Sequence, residues 1–187
     1  MSLKETIAEL NDILNSHELY ELTKKLNPSE ELKQKFIDRT KQHIKLVNYY
    51  AGKIGASFPN HDHSKLDILL DGYCYFSKPK EERTPEEQKV LDLATFIHVT
   101  NAPHHPEYWT ETDLRGFTRG NFTPNGVVDA TEMPEECLLE MVCDWQATGT
   151  EKGNSARDWF NQTNGTRWLF SEYQRKFILD LIGKIED

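Results

Sequence analysis

The chain has 187 residues, of which 37% are hydrophobic and 28% charged, and its formal net charge is −9. This length suits one domain with a sizeable hydrophobic core, and the composition is too apolar for a disordered chain. The negative charge argues against binding to nucleic-acid phosphates, so no nucleic-acid duplex is expected as a partner.

The first predicted element is a helix near the N-terminus. Residues 3–25 are helical in pattern but polar. We therefore expect residues 1–26 to form a peripheral helix outside a core of about residues 27–185. Together they would make one domain over residues 1–187.

The second predicted helix has a clear start. Asn27 is the expected N-cap, Pro28 suits the first helical position, and Glu30 is placed as a capping-box carboxylate. The apolar stripe that follows contains His43, which is therefore expected to point towards the core. The stripe consists of Leu32, Phe36, His43, Val47, Ala51 and Ile54.

The dipeptide His61-Asp62 follows a short turn and precedes a short predicted helix. Ser64 and Asp67 have the spacing of a capping box at the start of that helix. Two neighbouring residues cannot share one helical face, but at a helix start both side chains can bend to one ion.

A longer helix and a histidine-rich loop come next. Residues 84–87 open the helix by capping-box chemistry, and His98 is in phase with its apolar face. Pro103 stops the helix, so His104 and His105 are expected on a loop just beyond it.

The C-terminal part is predicted to be a long loop followed by helices. Residues 110–130 show no strong period and suggest a loop or small hairpin of the kind that forms lids or binding loops. Pro134 starts a helix in which Asp144 lies beside the apolar face, one turn after Glu140. Two more helices are expected at about 153–162 and 167–185. Because strand-like alternation is nearly absent, the predicted class is all-α.

Histidines and carboxylates recur along these elements in an order typical of a metal site. Six of the seven histidines lie between positions 43 and 105. Imidazole with carboxylate suits Fe, Mn, Co, Ni or Zn, and less well a hard ion such as Mg. We predict one or two divalent ions. The predicted ligands are His43, His61, Asp62, His98, His104 and Asp144.

The ligands divide into two predicted groups. His43 and Asp144 would complete the shell of a first metal at His61-Asp62, and Asp62 can bridge to a second metal. His98 with His104 or His105 would bind that second ion.

Three motifs in order along the chain show a resemblance to known proteins over residues 36–150. They are H-D-x-S-K, N-x-x-H-H-P-E-Y-W and E-M-x-x-D-W. A His, a His-Asp pair and a closing Asp on helices resemble the HD-domain superfamily of metal-dependent phosphohydrolases, and the extra histidines resemble its bimetallic members. The three motifs are most similar to an uncharacterised bacterial and phage family. The resemblance implies an all-α HD-type bundle that hydrolyses a phosphate ester with metal-activated water.

Further residues receive predicted roles. Lys65 matches the lysine that follows the His-Asp pair in many such proteins and could contact the phosphate as a point charge. Glu140 could orient a ligand or take a proton, and with Lys65 and Asp62 it forms the predicted catalytic set. His105 and the loop arginines Arg115 and Arg119 are predicted substrate contacts. The expected substrate is a small phosphorylated metabolite or nucleotide.

Each residue also has an ordinary structural interpretation. His61-Asp62 could be a helix cap, His43 a hydrogen-bonded core histidine, and Asp144 one member of an ion pair. Two other functions also compete with the hydrolase. These are a di-iron oxygenase of the same fold and a non-catalytic, metal-stabilised interaction module.

The cellular setting is predicted from cysteine usage and hydropathy. Cys74, Cys137 and Cys143 form an odd set without C-x-x-C spacing, which indicates reduced thiols. No signal peptide or membrane span is expected. The prediction is a cytoplasmic protein without a membrane partner, and a homodimer is a candidate assembly.

Overall fold

Helices dominate the computed structural model, which describes the backbone of residues 3–186 and the side chains of residues 13–186. The protein is 66% helical and has nine helices and one two-stranded sheet within the described residues. The predicted all-α class is confirmed. No helix in the described range combines the length and apolar character that crossing a membrane requires.

The helices are, in chain order, α1 (Leu3–Leu26), α2 (Glu30–Lys53), α3 (His63–Leu66), α4 (Leu70–Tyr73), α5 (Pro85–Asn101), α6 (Pro106–Trp109), α7 (Glu135–Lys152), α8 (Ala156–Thr163) and α9 (Glu172–Glu186). Two 3₁₀ turns lie at Cys74–Ser77 and Lys80–Glu82. The strands β1 (Val128–Asp129) and β2 (Trp168–Leu169) pair in parallel, with Val128 opposite Trp168.

The chain comprises two compact units. The first consists of Met1–Thr40, as far as it is described, with His63–His98. The second consists of Lys41–Asp62 with Val99–Asp187, again as far as described. The single domain over residues 1–187 and the peripheral position of residues 1–26 stay predictions.

The core of the first unit is built from α1, the N-terminal part of α2, α4 and α5. Phe36 on α2 stacks on Tyr73 on α4, with ring centroids 5.7 Å apart. A glycine at position 72 lets α4 approach α5, because a Cβ there would lie 2.7 Å from the Cβ of Ala94. Leu19 buries the described face of α1 against the same cluster.

The core of the second unit is centred on α7, α8, α9 and the small sheet. Trp145 and Trp168 stack with ring centroids 5.3 Å apart and nearly parallel planes, and Trp159 packs edge-on against Trp168. Trp145 and Trp168 are therefore core residues, only 7% and 2% exposed. Their burial fixes α7, the helix that carries Glu140 and Asp144.

The boundary between α1 and α2 differs from the prediction. Asn27 adopts a left-handed φ of 47° and its N–H donates to the Thr23 carbonyl at 2.8 Å, so it ends α1. The N-cap of α2 is Ser29, whose Oγ accepts from the Leu32 N–H at 3.2 Å. The prediction of Asn27 as that cap was wrong because its backbone already closes the preceding helix.

The two other predicted capping boxes have opposite outcomes. Thr84 and Glu87 exchange both capping hydrogen bonds, at 2.8 and 3.2 Å, so the start of α5 is confirmed. Ser64 instead lies inside α3, which begins at His63, and its hydroxyl is 3.0 Å from Nδ1 of His98, so the cap predicted for it was wrong. A buried imidazole on α5 satisfies this hydroxyl in place of the backbone.

Candidate metal centre

The centre lies in the second unit, where the C-terminal half of α2 packs against α7. Four fully buried side chains of small or moderate size form this contact: Val47, Ala51, Cys143 and Ala147. Because small side chains allow two helices to approach closely, His43 and Asp144 face each other. Nε2 of His43 lies 3.0 Å from Oδ1 of Asp144.

The turn that carries His61 is held by the side-chain amide of Asn48. The Phe58 N–H donates to Oδ1 of Asn48 at 2.8 Å, and Nδ2 of Asn48 donates to the Phe58 carbonyl at 3.0 Å. The same amide group donates to the Ile44 carbonyl at 2.9 Å, which ties the turn to α2. The His61 N–H then donates to the Phe58 carbonyl at 3.1 Å.

Asp62 has an unusual backbone conformation. Its φ is +57°, in the left-handed region that few residues other than glycine adopt. Asp tolerates this region better than most residues, yet strained backbone tends to occur at functional sites. This backbone conformation directs the side chains of both His61 and Asp62 towards the centre. The side chains of adjacent residues on a regular helix would point in different directions.

The two carboxylate oxygens of Asp62 face different imidazoles. Oδ2 lies 3.7 Å from Nε2 of His61 and 4.0 Å from Nε2 of His43. Oδ1 lies 3.8 Å from Nε2 of His104. Asp62 therefore connects His104 to the pair formed by His43 and Asp144.

His104 lies on the segment that leads into α6. Its ring is 4.6 Å from that of His61, between centroids. The segment is held because Nε1 of Trp109 donates to the Pro103 carbonyl at 2.8 Å. It is also held through Glu107, whose carboxylate accepts from Nη2 of Arg167 and from Nε1 of Trp168, each at 3.0 Å.

Two glutamates of α7 lie on the outer side of these imidazoles. Oε1 of Glu140 is 2.8 Å from Nδ1 of His61 and 3.4 Å from Nδ1 of His104. Oε1 of Glu151 is 3.1 Å from Nδ1 of His43. In each ring, Nδ1 faces a glutamate and Nε2 faces the centre.

Burial and nearby charges raise the pKa of one residue of the centre and lower the pKa of two others. Burial alone would lower the pKa of His43, but hydrogen bonds to Asp144 and Glu151 outweigh it and raise the pKa to about 9. Burial alone would raise the pKa of Asp144, but the same His43 contact holds it well below its usual value. Burial, with the His61 imidazole nearby, lowers the pKa of His104 to about 4. These shifts favour an ion pair between His43 and Asp144 and the neutral form of His104.

These side chains could hold a metal ion. Within the second unit, two overlapping groups have potential ligand atoms within 4.8 Å of one another. They are His43 with His61 and Asp144, and His61 with Asp62 and His104. The histidines and Asp62 are 1–8% exposed, so most of the donor set is shielded from bulk water.

Two predicted site residues, His98 and Lys65, belong to the first unit. His98 is buried, with its ring edge-on to Tyr73 at 5.9 Å and its Nδ1 near Ser64. The Lys65 ammonium lies 5.4 Å from the Tyr73 ring centroid. Metal ligation by His98 and phosphate contact by Lys65 stay predictions.

The other predicted substrate contacts lie in the second unit. The His105 ring packs 4.4 Å from that of His104, between centroids. The Arg115 side chain is 91% exposed and bonds to both oxygens of Asp113. Arg119 is half-buried on the same loop. Substrate binding by these three residues stays a prediction.

Sequence reasoning missed Asn48 and Glu151. Glu151 comes seven residues after Asp144, two helical turns along the same face, so the period of α7 could have found it. Asn48 had no such signal because its partner is the backbone of a turn.

Comparison with protein families gives a match over most of the chain. Residues 32–184 match a family described as a family of unknown function, DUF5662. The matched stretch includes all the residues of the centre. Neither the curated proteins nor the solved structures yield a match.

Proposed function

The chain belongs to the DUF5662 family, and we propose that it is a metal-dependent hydrolase of small phosphoric esters. One observation carries the proposal: three imidazole Nε2 atoms and two carboxylates from four separate segments converge in the second unit. The residues are His43, His61, Asp62, His104 and Asp144.

The donor set fits a divalent ion of borderline character. Nitrogen and carboxylate ligands together suit Fe, Mn, Co, Ni or Zn, whereas Ca and Mg prefer shells made only of oxygen. His43, His61, Asp144 and Oδ2 of Asp62 would hold a first ion. His104 and Oδ1 of Asp62 would contribute to a second, because the two oxygens of Asp62 face different imidazoles.

A divalent ion supplies two elements of phosphoester hydrolysis, since it lowers the pKa of a bound water and shields charge on the phosphoryl oxygens. The chain's own residues provide the rest. Asp62 and Asp144 would contribute the negative charge that holds the ion, and the buried imidazoles would shield it from bulk water. The motif order around His61-Asp62 supports a phosphoester as the substrate class, with Lys65 as the proposed phosphate contact.

The experiment measures metal binding and turnover in the same preparations. Protein freed of metal by chelation is loaded with Mn, Fe, Co or Zn, its metal content is measured, and inorganic phosphate release is followed with nucleotides and sugar phosphates. Asp62→Asn removes a charge from the centre, and Glu136→Gln removes one from an exposed position on the same helix as Asp144.

The hydrolase proposal requires phosphate release by the wild type and by Glu136→Gln, with loss of release in Asp62→Asn. A fully loaded protein that releases no phosphate from any ester overturns it. Oxygen consumption with iron would instead indicate the oxygenase. Metal-dependent stabilisation without any turnover would indicate a structural module.

A further inference from the structure

The sequence left two roles open for Glu140, orienting a ligand or taking a proton, and its position favours the first. Its Oε1 is within hydrogen-bond distance of Nδ1 of His61, at 2.8 Å, and lies 3.4 Å from Nδ1 of His104, so the same oxygen is close to both rings. Both of these contacts are on the side of the rings that faces away from Asp62, whose oxygens lie 3.7 and 3.8 Å from the two Nε2 atoms.

We propose that Glu140 is a positioning residue that aims Nε2 of both His61 and His104 towards the centre. An ionised carboxylate only accepts hydrogen bonds, so a ring nitrogen that bonds to it carries a proton. With Nδ1 protonated, the neutral ring has its lone pair on Nε2, which is the form that binds a metal. The inference rests on the proposed metal-dependent function and names the group that organises its ligands.

The Glu140 carboxylate connects the segments that carry His61 and His104. His61 lies on the turn before α3, His104 lies on the segment before α6, and Glu140 reaches both from α7. The ring centroids are 4.6 Å apart, so a change in one ring's orientation alters the space available to the other. A rigid helix therefore sets the relative angle of two ligands that are themselves carried by irregular backbone.

The position of Glu140 on α7 explains why it can lie beside the His61 and His104 rings. Glu140 and Asp144 are one turn apart, so the same face of the helix offers one carboxylate to the centre and one to the rings. The Glu140 side chain is 22% exposed, whereas His61 is fully buried, so the contact with His61 is shielded from most of the solvent. Hydrogen bonds to charged groups are about twice as strong as neutral ones.

The test compares two substitutions with matched controls on α7. Glu140→Gln keeps an oxygen acceptor and loses the charge, whereas Glu140→Ala loses both. Glu136→Gln and Glu136→Ala make the same changes one turn earlier, at an exposed residue. Affinity for Co²⁺ and Zn²⁺ is measured by competition with a chelator, using the full-length protein. We expect Glu140→Ala to weaken binding about 10- to 100-fold, Glu140→Gln to weaken it less, and the controls to leave it unchanged.

A second readout does not need the metal. Nitrogen NMR of chelator-treated protein, at a pH where the His61 ring is neutral, reports which nitrogen of His61 carries the proton. We expect the proton on Nδ1 in the wild type and in Glu140→Gln, and a mixture of the two forms in Glu140→Ala. Circular dichroism tests whether the variants are folded. If Glu140→Ala is unfolded, the metal affinity of Glu140→Gln tests the inference.

The outcomes separate the inference from the proposed function. Wild-type affinity in both Glu140 variants overturns the inference, as does a proton on Nε2 of His61 in the wild type. A wild type that binds no divalent ion overturns the proposed function, and the position of the His61 proton then still decides whether Glu140 aims that ring.

Discussion

Nε2 of His43 and Oδ1 of Asp144 lie 3.0 Å apart although the residues are 101 positions apart in the chain. Each belongs to a long helix, α2 or α7, and the helices meet through Ala51 and Ala147. Thr148, one turn after Asp144, donates to the same carboxylate oxygen at 3.2 Å. The centre is therefore part of the helix packing, and its geometry depends on the stability of the second unit.

Divalent transition metals should stabilise the folded protein. An ion that binds only the folded state adds about 2.7 kcal/mol to the free energy of unfolding when its free concentration is 100 times Kd. We expect Co²⁺ or Zn²⁺ to raise the midpoint of thermal unfolding, and a chelator to reverse the effect. Asp144→Asn should respond little, and Ca²⁺ should have little effect on the wild type because it prefers oxygen ligands. Equal stabilisation of Asp144→Asn would contradict the assignment of this carboxylate as a ligand.

Substitutions of Asp62 should separate the effect of its left-handed backbone from the effect of its charge. A non-glycine residue in this region costs about 1–2 kcal/mol, so chelator-treated Asp62→Ala should unfold more readily than Asp62→Gly. Asp62→Asn should keep most of the stability because Asn tolerates this conformation, yet it should bind metal more weakly. Denaturant unfolding and chelator competition measure the two effects. The strain argument fails if the Ala variant is as stable as the Gly variant.

The Asn48 amide should control both stability and metal affinity. Asn48→Ala leaves the Phe58 N–H and carbonyl without this partner, at a cost of about 1–3 kcal/mol for a group left unsatisfied. Asn48→Asp keeps the acceptor for the Phe58 N–H but turns a carboxylate oxygen towards the Phe58 and Ile44 carbonyls, so it should lose at least as much. Because the turn carries His61, both variants should also bind Co²⁺ more weakly. Ser57→Ala, which removes only a 3.3 Å contact to the same side chain, is the control and should change neither quantity.

The buried ion pair of Glu107 and Arg167 should be costly to break. Glu107→Gln leaves the Arg167 guanidinium buried without a counter-charge, and one-sided loss of a buried pair costs about 3–5 kcal/mol. Denaturant unfolding should show this loss, and Glu107→Gln combined with Arg167→Met should recover part of it. Asp113→Asn breaks the exposed pair with Arg115 and should leave stability unchanged. A small effect of Glu107→Gln would show that solvent reaches the pair.

The sequence alone determined features that depend on residues one or two turns apart. The apolar stripe placed His43 on the buried side of α2, and the Thr84–Glu87 spacing marked the start of α5. Helical period also placed Asp144 one turn after Glu140 on α7. These features follow from local hydrogen bonds and side-chain periodicity, which the order of residues specifies directly.

Tertiary structure decided which polar partner each residue takes. Ser64 has the spacing of a cap, yet its hydroxyl lies beside His98, and Asn48 and Glu140 receive their roles from segments far away in the chain. The order of residues states which donors and acceptors exist. Which of them meet depends on the helix packing that brings distant segments together, because a hydrogen bond or a ligand bond forms only over about 3.2 Å or less.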